Sequence, residues 1–322
     1  MSAVTIALEA PALPAYDLSP GETASILQLL GSPVAGALAQ GRPRPVTRRL
    51  PERLLDFLDE FPLTEPAGGI IIRGFPVNDA EIGPTPGHWR DAAERTSTIT
   101  HERFLLTVAS ALGEVFAFRA LQDGRLVQDL LPMAGQEDEK SGNSSRSLLD
   151  LHTEDAFHPN RCDYLGLLCL RNIDGTPTSY AELAPSTIAP DLLEVLFQPR
   201  FTIKPDATHP ELAKPEPTAV LWGARARPYL RIDDYFTEPL PGDTVAGRAL
   251  AALTDSLAKA ERAVTLCPGE TVFIDNHLAV HGRRPFKARY DGSDRWLKRV
   301  SVTRDLRRSR ALRASASSRL LD

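Results

Sequence analysis

The spacing of apolar residues changes near residue 114, and this change restricts the folds open to the chain. Before it, apolar residues recur at three- and four-residue steps over 20–40, 48–60 and 101–113, which predicts amphipathic helices. A β-branched run at 68–77, bounded by glycines and a proline, predicts one buried strand. After it come short apolar runs separated by turn residues, at 163–172, 219–223, 228–233, 270–276 and 296–305, with one helical interruption at 244–262.

This order of elements predicts a mainly β chain with flanking helices, either a β-barrel or a jelly roll. The helical part covers about 1–113 and the β core about 115–308. Within the core, two apolar runs over 115–133 are split by Asp123-Gly124, which predicts a hairpin. A polar, Gly/Ser-rich stretch at 134–147 predicts a loop. The Pro-rich stretch at 205–217 predicts an inserted loop, with a plain surface connection and a lid both open.

Charge and composition exclude several classes of protein. The formal net charge is −5 with no basic block, so neither nucleic acid nor an anionic membrane is an expected partner. No apolar stretch reaches the roughly 18 residues of a membrane span, and the first residues lack a basic segment, so we expect no secretory signal. Cys162, Cys169 and Cys267 are an odd, widely spaced set, interpreted as core thiols of a cytoplasmic protein.

The pair His152 and Glu154 is the sharpest local motif. On a strand, residues two apart point to the same face, so an imidazole and a carboxylate would project together. One more histidine would complete a two-His-one-carboxylate site with open positions on the metal. His281 ends an apolar run, and Gly282 after it would let the backbone approach a cofactor.

Two further histidines compete for these roles, and spacing does not exclude them. His277 is the rival of His281, and His158 is the rival of His152. His158 precedes Pro159 in a predicted turn, so it ranks as a residue behind the site or on the surface.

Arginines follow His281 in unusual number. A dicarboxylate cofactor needs a planar bidentate donor, which arginine supplies better than lysine. Arg295 and Arg299 flank Trp296 and Leu297 in a probable strand, share one strand face and are candidates for buried roles. The others are predicted to form a solvated basic face, namely Arg283, Arg284, Arg307 and Arg308.

Three blocks of sequence, HTEDAFHPNRCDYLGLLCLRN, FIDNHLAVHGRRPF and YDGSDRWLKRVSVTRDLRRSR, resemble the clavaminate synthase-like oxygenases, and most closely their hydroxylases of free amino acids. The likeness is dense over about 115–180 and 219–308. It implies one domain with a double-stranded β-helix core, and it implies iron(II), 2-oxoglutarate and dioxygen. It also implies His152, Glu154 and His281 as iron ligands.

The resemblance further implies how the small molecules bind. Arg295 would hold the distal carboxylate of 2-oxoglutarate, assisted by Ser179 or Thr178. The substrate contacts would come from the following residues: Arg299 on the α-carboxylate, Glu154 on the ammonium, Gln122 and the Gly142-Asn143-Ser144 loop on the backbone, and Asp233 on the side chain.

The substrate's side-chain end is where the sequence departs from its relatives. Those that take arginine have two aspartates, two apart; here Asp233 matches the first, and Tyr235 stands at the second, with Asp234 on the other strand face. We therefore expect hydroxylation at Cβ or Cγ of a polar or basic amino acid, such as arginine or citrulline, in natural-product biosynthesis. A zinc hydrolase or another cupin-like metalloenzyme is the alternative, and the oligomeric state stays open.

Overall fold

The protein is described here by a computed structural model covering residues 12–205 and 215–322. The start of the chain and most of the Pro-rich stretch at 205–217 lie outside the described residues. Within them, no helix is both long enough and apolar enough to cross a membrane.

Helices dominate the first third of the described chain. Two of the three predicted helices begin or end elsewhere than the apolar spacing indicates. The first stops at Gly31, because Ser32 is extended before Pro33, a conformation that a following proline favours. The helices are α1 (Pro20–Gly31), α2 (Gly36–Ala39), α3 (Arg44–Thr47), α4 (Glu52–Thr64), α5 (Asp79–Ile82), α6 (Trp89–Ala93), α7 (Ile99–Leu112), α8 (Pro190–Leu196) and α9 (Thr244–Ala260).

Strands occupy most of the remaining regular structure, and each of the five predicted after residue 160 is confirmed within a few residues. They are β1 (Ala15–Asp17), β2 (Gly69–Arg73), β3 (Glu114–Phe118), β4 (Gln128–Leu130), β5 (Leu149–His152), β6 (Tyr164–Arg171), β7 (Thr178–Glu182), β8 (Phe201–Ile203), β9 (Leu221–Ala224), β10 (Arg227–Leu230), β11 (Thr237–Pro239), β12 (Arg262–Val264), β13 (Thr271–Asp275), β14 (Ala279–Arg283), β15 (Trp296–Thr303) and β16 (Leu320–Leu321).

Two sheets form the centre of the molecule. The larger runs β1-β2-β13-β6-β15-β3-β16, with β4 also paired to β15, and the smaller runs β12-β7-β14-β5. Apolar side chains of both sheets meet in one buried cluster, which includes Leu165 and Val272 of the larger sheet and Tyr180 and Ala279 of the smaller. The prediction of a mainly β chain with flanking helices is therefore confirmed.

The helices cover the outer faces of these sheets. Ile26 of α1, Leu54 of α4 and Phe104 of α7 pack in one cluster with residues of the larger sheet. Leu253 of α9 packs with Val280 of β14 in a second cluster behind the smaller sheet. The helices thereby cover both sheets from outside, and the candidate site lies in a cavity that residues of both sheets line, such as Leu165 of β6 and His281 of β14.

The predicted hairpin over 115–133 is wrong. β3 pairs with Ser301–Thr303 and β4 with Leu297–Arg299, so both lie end to end along the same strand, β15. Three consecutive residues, Gln122, Asp123 and Gly124, have positive φ values of 45°, 56° and 76°. Such a turn differs from the two-residue loop that joins paired strands, and it returns the chain to the β15 edge.

The three cysteines divide between core and surface. Cys162 and Cys169 are buried, as the sequence predicts, but Cys267 is exposed. Cys267 lies in the turn before β13, where its backbone N–H donates to Glu270 Oε2 at 2.8 Å. The core-thiol interpretation is therefore wrong for Cys267, because a turn residue before a strand faces solvent.

Candidate metal centre and substrate cavity

Two adjacent strands bring His152, Glu154 and His281 together. β14 pairs antiparallel with β5 in a register that sets His281 directly opposite His152. The ring centroids of these histidines are 4.3 Å apart. Glu154 follows the end of β5, and its Oε2 lies 3.2 Å from His281 Nε2. Ligand atoms of all three residues lie within 4.8 Å of one another.

Backbone contacts fix the orientation of the first two residues. His152 Nδ1 is 2.8 Å from the carbonyl oxygen of Asp150, which leaves Nε2 directed at the cluster. The buried Asn276 side chain holds the backbone of Glu154: Glu154 N–H donates to Asn276 Oδ1 at 2.6 Å, and Asn276 Nδ2 donates to Glu154 O at 3.0 Å. Asn276 thus fixes the backbone position from which the Glu154 side chain extends.

The electrostatics of the cluster favour a divalent cation. Burial would raise the pKa of Glu154, but the Arg299 guanidinium and the His281 ring outweigh it and hold that pKa well below the usual range. Burial and the nearby His152 ring lower the pKa of His281 to about 4. A carboxylate and neutral imidazoles are the forms that bind a metal, so the donor set fits an iron(II) or zinc ion.

A second group of side chains suits a carboxylate ligand. Arg295 Nη2 donates to Thr178 Oγ1 at 3.1 Å, and both residues line the cavity. Arg295 Nε is buried without a hydrogen-bond partner in the described part of the chain. Burial lowers the pKa of Arg295 to about 10, so its guanidinium is charged at neutral pH. A charged fork with an unused N–H fits a dicarboxylate.

Ser179 does not join this group. Its hydroxyl donates to Glu261 Oε1 at 2.7 Å, on the strand face opposite to that of Thr178. Of the two hydroxyl residues predicted beside Arg295, only Thr178 lies at the cavity wall.

Arg299 reaches the metal cluster itself. Its Nη1 lies 2.5 Å from Glu154 Oε1, and its Nε donates to Gln128 Oε1 at 3.0 Å. Glu154 therefore connects Arg299 to His281 through its two carboxylate oxygens. Gln128, a residue that sequence reasoning missed, is buried on β4 and sets the plane of the guanidinium.

The residues predicted to contact a substrate backbone are engaged with the protein. Gln122 lines the cavity, but its amide exchanges hydrogen bonds of 2.8 and 2.9 Å with the backbone of Asp129. Asn143 also lines the cavity and lies beside β4, where its backbone oxygen accepts from Met133 N–H at 3.1 Å. Ser144 lies behind the cavity wall, with its hydroxyl donating to Ser141 O at 2.8 Å.

Asp233 lines the cavity beside His152. It forms an isolated bridge opposite His152, and the chain then turns instead of continuing as a strand. Asp233 Oδ1 accepts from the N–H groups of Tyr235 at 2.9 Å and Phe236 at 3.0 Å. Burial raises the pKa of Asp233, with His152 opposing. Tyr235 lines the cavity and is 58% exposed, whereas Asp234 is exposed outside it.

The rival histidines lie elsewhere. His277 Nε2 is 2.7 Å from Asp163 Oδ1, in a separate ion-paired network. His158 is buried against Phe118, with ring centroids 4.5 Å apart, and its Nδ1 accepts from Asn160 N–H. Neither belongs to the cluster around Glu154.

Arg283 contradicts its prediction as a solvated residue. It is 3% exposed and donates from Nη2 to Ser144 Oγ at 2.8 Å and to Ser147 O at 3.2 Å, which ties the 134–147 loop to β14. The two-residue period of the strand could have predicted this burial, because Arg283 shares its strand face with His281. Arg284, Arg307 and Arg308 are exposed, as predicted.

These side chains surround one cavity of about 370 Å³. The cluster of His152, Glu154 and His281 forms part of its wall, and Arg295 and Arg299 form another part. Residues of the 134–147 loop cover it, including Lys140. The cavity therefore combines a metal-binding donor set with two arginines for carboxylates and an aspartate for a polar or cationic group.

Comparisons with known proteins point to the same chemistry. Residues 196–301 match the family described as taurine catabolism dioxygenase TauD, TfdA family. The chain is 38% identical to an enduracididine beta-hydroxylase of Streptomyces hygroscopicus, over 88% of this chain and 90% of that protein. It is 39% identical to an L-ornithine/L-arginine 3-hydroxylase of Catenulispora acidiphila, with the same coverage.

Solved structures give a matching result. The non-heme iron oxygenase OrfP, in complex with Fe, succinate and (3S)-hydroxy-L-Arg, superposes with a TM-score of 0.89 at 42% identity, covering 96% of this chain and all of that one. OrfP in complex with Fe and alpha-ketoglutaric acid also gives a TM-score of 0.89, at 44% identity.

Proposed function

The chain belongs to the TauD/TfdA family of iron(II)- and 2-oxoglutarate-dependent dioxygenases, and from this premise we propose that it hydroxylates Cβ or Cγ of a free amino acid with a polar or basic side chain. The observation that carries the proposal is the single cavity that joins a His-Glu-His cluster to Arg295 and Arg299. The relatives named for arginine, ornithine and enduracididine support a nitrogen-rich substrate. We propose that the product serves natural-product biosynthesis.

The proposed metal ligands are His152, Glu154 and His281. The carboxylate of Glu154 would supply negative charge to the metal, and with only two histidines beside it the set would leave positions free for other ligands. When bound, iron(II) with 2-oxoglutarate and dioxygen supplies the oxidant that hydroxylates an unactivated C–H bond. Because Glu154 fills a ligand position that a halogenase leaves for halide, we favour hydroxylation over chlorination.

Arg295 and Thr178 are proposed to hold the distal carboxylate of 2-oxoglutarate. Arg295 Nε, which has no hydrogen-bond partner in the described part of the chain, supplies one donor. The neighbouring Nη2, which donates to Thr178 Oγ1 in this structure, supplies the second. Arg295→Lys keeps the charge and loses the fork, so we expect the KM for 2-oxoglutarate to rise by about tenfold. The KM for the amino acid should change much less.

Arg299 and Asp233 are proposed to bind the two ends of the substrate. Arg299 would turn from Glu154 to the substrate α-carboxylate, while Gln128 keeps its plane fixed. Glu154 Oε1, released from Arg299, could then accept from the substrate ammonium. Holding the substrate at both ends decides which carbon faces the metal, and an error of about 1 Å can cost ~100-fold in rate.

We also infer a single oxygenase domain with a double-stranded β-helix core. The inference is supported by β1 and β2, which come from the helical first third but pair within the larger sheet beside β13. The two facing sheets and the long-range order of their strands support the β-helix.

The test is a reaction with iron(II), 2-oxoglutarate and a panel of arginine, citrulline, ornithine, lysine and asparagine, scored by succinate and by a mass gain of one oxygen. His152→Ala and His281→Ala should lose both metal binding and substrate-dependent succinate. His277→Ala, a matched control outside the cluster, should keep both. Retained turnover in either ligand variant would refute the assignment, and activity that follows zinc would favour the hydrolase alternative.

A further inference from the structure

An ion pair between Lys140 and Asp150 lies at the cavity wall. Lys140, on the 134–147 loop, places Nζ 2.6 Å from Asp150 Oδ2 on β5 and donates to Leu148 O at 2.9 Å. Its Nζ also lies 4.6 Å from the centroid of the Tyr235 ring. All three side chains of this group, Lys140, Asp150 and Tyr235, line the cavity.

Asp150 faces the same space as Asp233. It precedes His152 by two residues on β5, so its side chain lies on the same strand face. Asp233 is directly opposite His152. Asp150 and Asp233 are therefore diagonal neighbours across the two strands, a spacing within reach of one bound group.

Asp233 alone is a poor receptor for a guanidinium group. Its Oδ1 already accepts from two backbone N–H groups of the following turn. Tyr235, the next side chain toward the cavity, carries no charge. A guanidinium binds best to paired acceptors, and Asp150 is a second carboxylate at the cavity wall, outside the His-Glu-His cluster.

Lys140 is suited to leave Asp150. Its side chain is 31% exposed, and that of Asp150 is 21% exposed. Both groups keep some contact with solvent, so water can solvate the ammonium when another cation takes its place at Asp150. If Lys140 stayed in place, its charge would repel a cationic substrate beside Asp233.

We propose that Asp150 is the second carboxylate of the substrate's side-chain subsite, and that Lys140 is its resident counter-ion, exchanged for the cation of the substrate. The proposal rests on the proposed function, since it assumes a cationic amino acid in this cavity. The contact between the 134–147 loop and β5 thereby depends on the substrate's charge, because a bound cation releases Lys140 from Asp150.

The test compares L-arginine with L-citrulline, its neutral analogue of similar shape. Binding is measured by titration calorimetry on the anaerobic holoenzyme with iron(II) and 2-oxoglutarate, so affinity is read without turnover. Asp150→Asn should lower the arginine-to-citrulline affinity ratio about tenfold, the effect of one charge-assisted hydrogen bond. It leaves intact the Asp150 carbonyl that orients His152.

Lys140→Met removes the ammonium and keeps the stem, so it should raise the same ratio several-fold. Lys259→Met is the matched control, because Lys259 forms an exposed pair with Asp255 at the same 2.6 Å on α9. It should leave the ratio unchanged.

Three outcomes would overturn the proposal. In the first, Asp150→Asn weakens both amino acids equally, which indicates a structural role. In the second, Lys140→Met weakens arginine binding, which indicates that the Lys140–Asp150 pair stays formed and supports the bound state. In the third, the wild-type protein binds neither amino acid; the proposed function then fails as well, whereas the first two outcomes leave it standing.

Discussion

Replacing Lys298 by methionine tests what holds β4 against β15. Lys298 and Asp129 are both fully buried, and they are register partners on the two strands. Lys298 Nζ lies 2.7 Å from Asp129 Oδ1 and 2.8 Å from Glu102 Oε1. The indole N–H of Trp296 donates to the same Asp129 oxygen at 2.7 Å.

Lys298→Met removes the ammonium, and the buried Asp129 carboxylate then keeps the indole N–H of Trp296 as a hydrogen-bond donor but loses its cation. Breaking one side of a buried pair costs about 3–5 kcal/mol, a large part of the roughly 5–15 kcal/mol of a folded domain. The double variant Lys298→Met/Asp129→Asn removes both charges and keeps an acceptor for Trp296. We expect it to recover most of the lost free energy of unfolding.

Urea unfolding followed by tryptophan fluorescence measures these differences, and an unchanged denaturant slope shows that the same transition is compared. Lys259→Met, at an exposed pair, should cost under about 1 kcal/mol. The reasoning fails if Lys298→Met costs as little as this control, or if the double variant is as unstable as the single one. Because Gln128 precedes Asp129 on β4 and holds Arg299, Lys298→Met should also raise the KM for the amino acid.

Three other buried side chains near the site give further expected outcomes. Asn276→Ala should lower the affinity for iron(II) about 10- to 100-fold in a metal titration, because the backbone of Glu154 loses its support. Arg283→Met should speed amide hydrogen exchange over 144–147, whereas the exposed Arg284→Met should not. Burial raises the pKa of Asp275 to about 6, so its ionisation destabilises the fold as the pH rises through that value. In urea unfolding, Asp275→Asn should therefore raise the free energy of unfolding by up to about 3 kcal/mol at pH 7.5 and by little at pH 4.

Local patterns in the sequence were sufficient for the four longest helices and the two longest strands, but not for many of the short elements or for how the strands pair. Asp123-Gly124 is a strong hairpin signal by itself. In the fold, β3 and β4 find a better partner in β15, far along the chain, and the turn serves to keep them in line. A local rule cannot detect a competing partner so distant in sequence.

The site residues show the same limit. His152 and Glu154 could be placed together from their spacing, but the approach of His281 depends on the register between β5 and β14. Arg283 was misplaced because its doublet with Arg284 resembles a charged surface, although strand alternation puts it inside. Asn276 and Gln128 act on a backbone and on another side chain, so no motif marks them.

The distance in sequence between the members of the His-Glu-His cluster has a consequence for biosynthesis. Glu154 and His281 are 127 positions apart, and β14 must pair with β5 before the two can meet. Contacts of such separation form slowly and late. A growing chain on the ribosome therefore exposes His152 and Glu154 as a bidentate half-site long before the third ligand exists. Stable loading of the proposed iron(II) site must therefore await release of the chain beyond His281, which makes metal uptake a late event in the maturation of this protein.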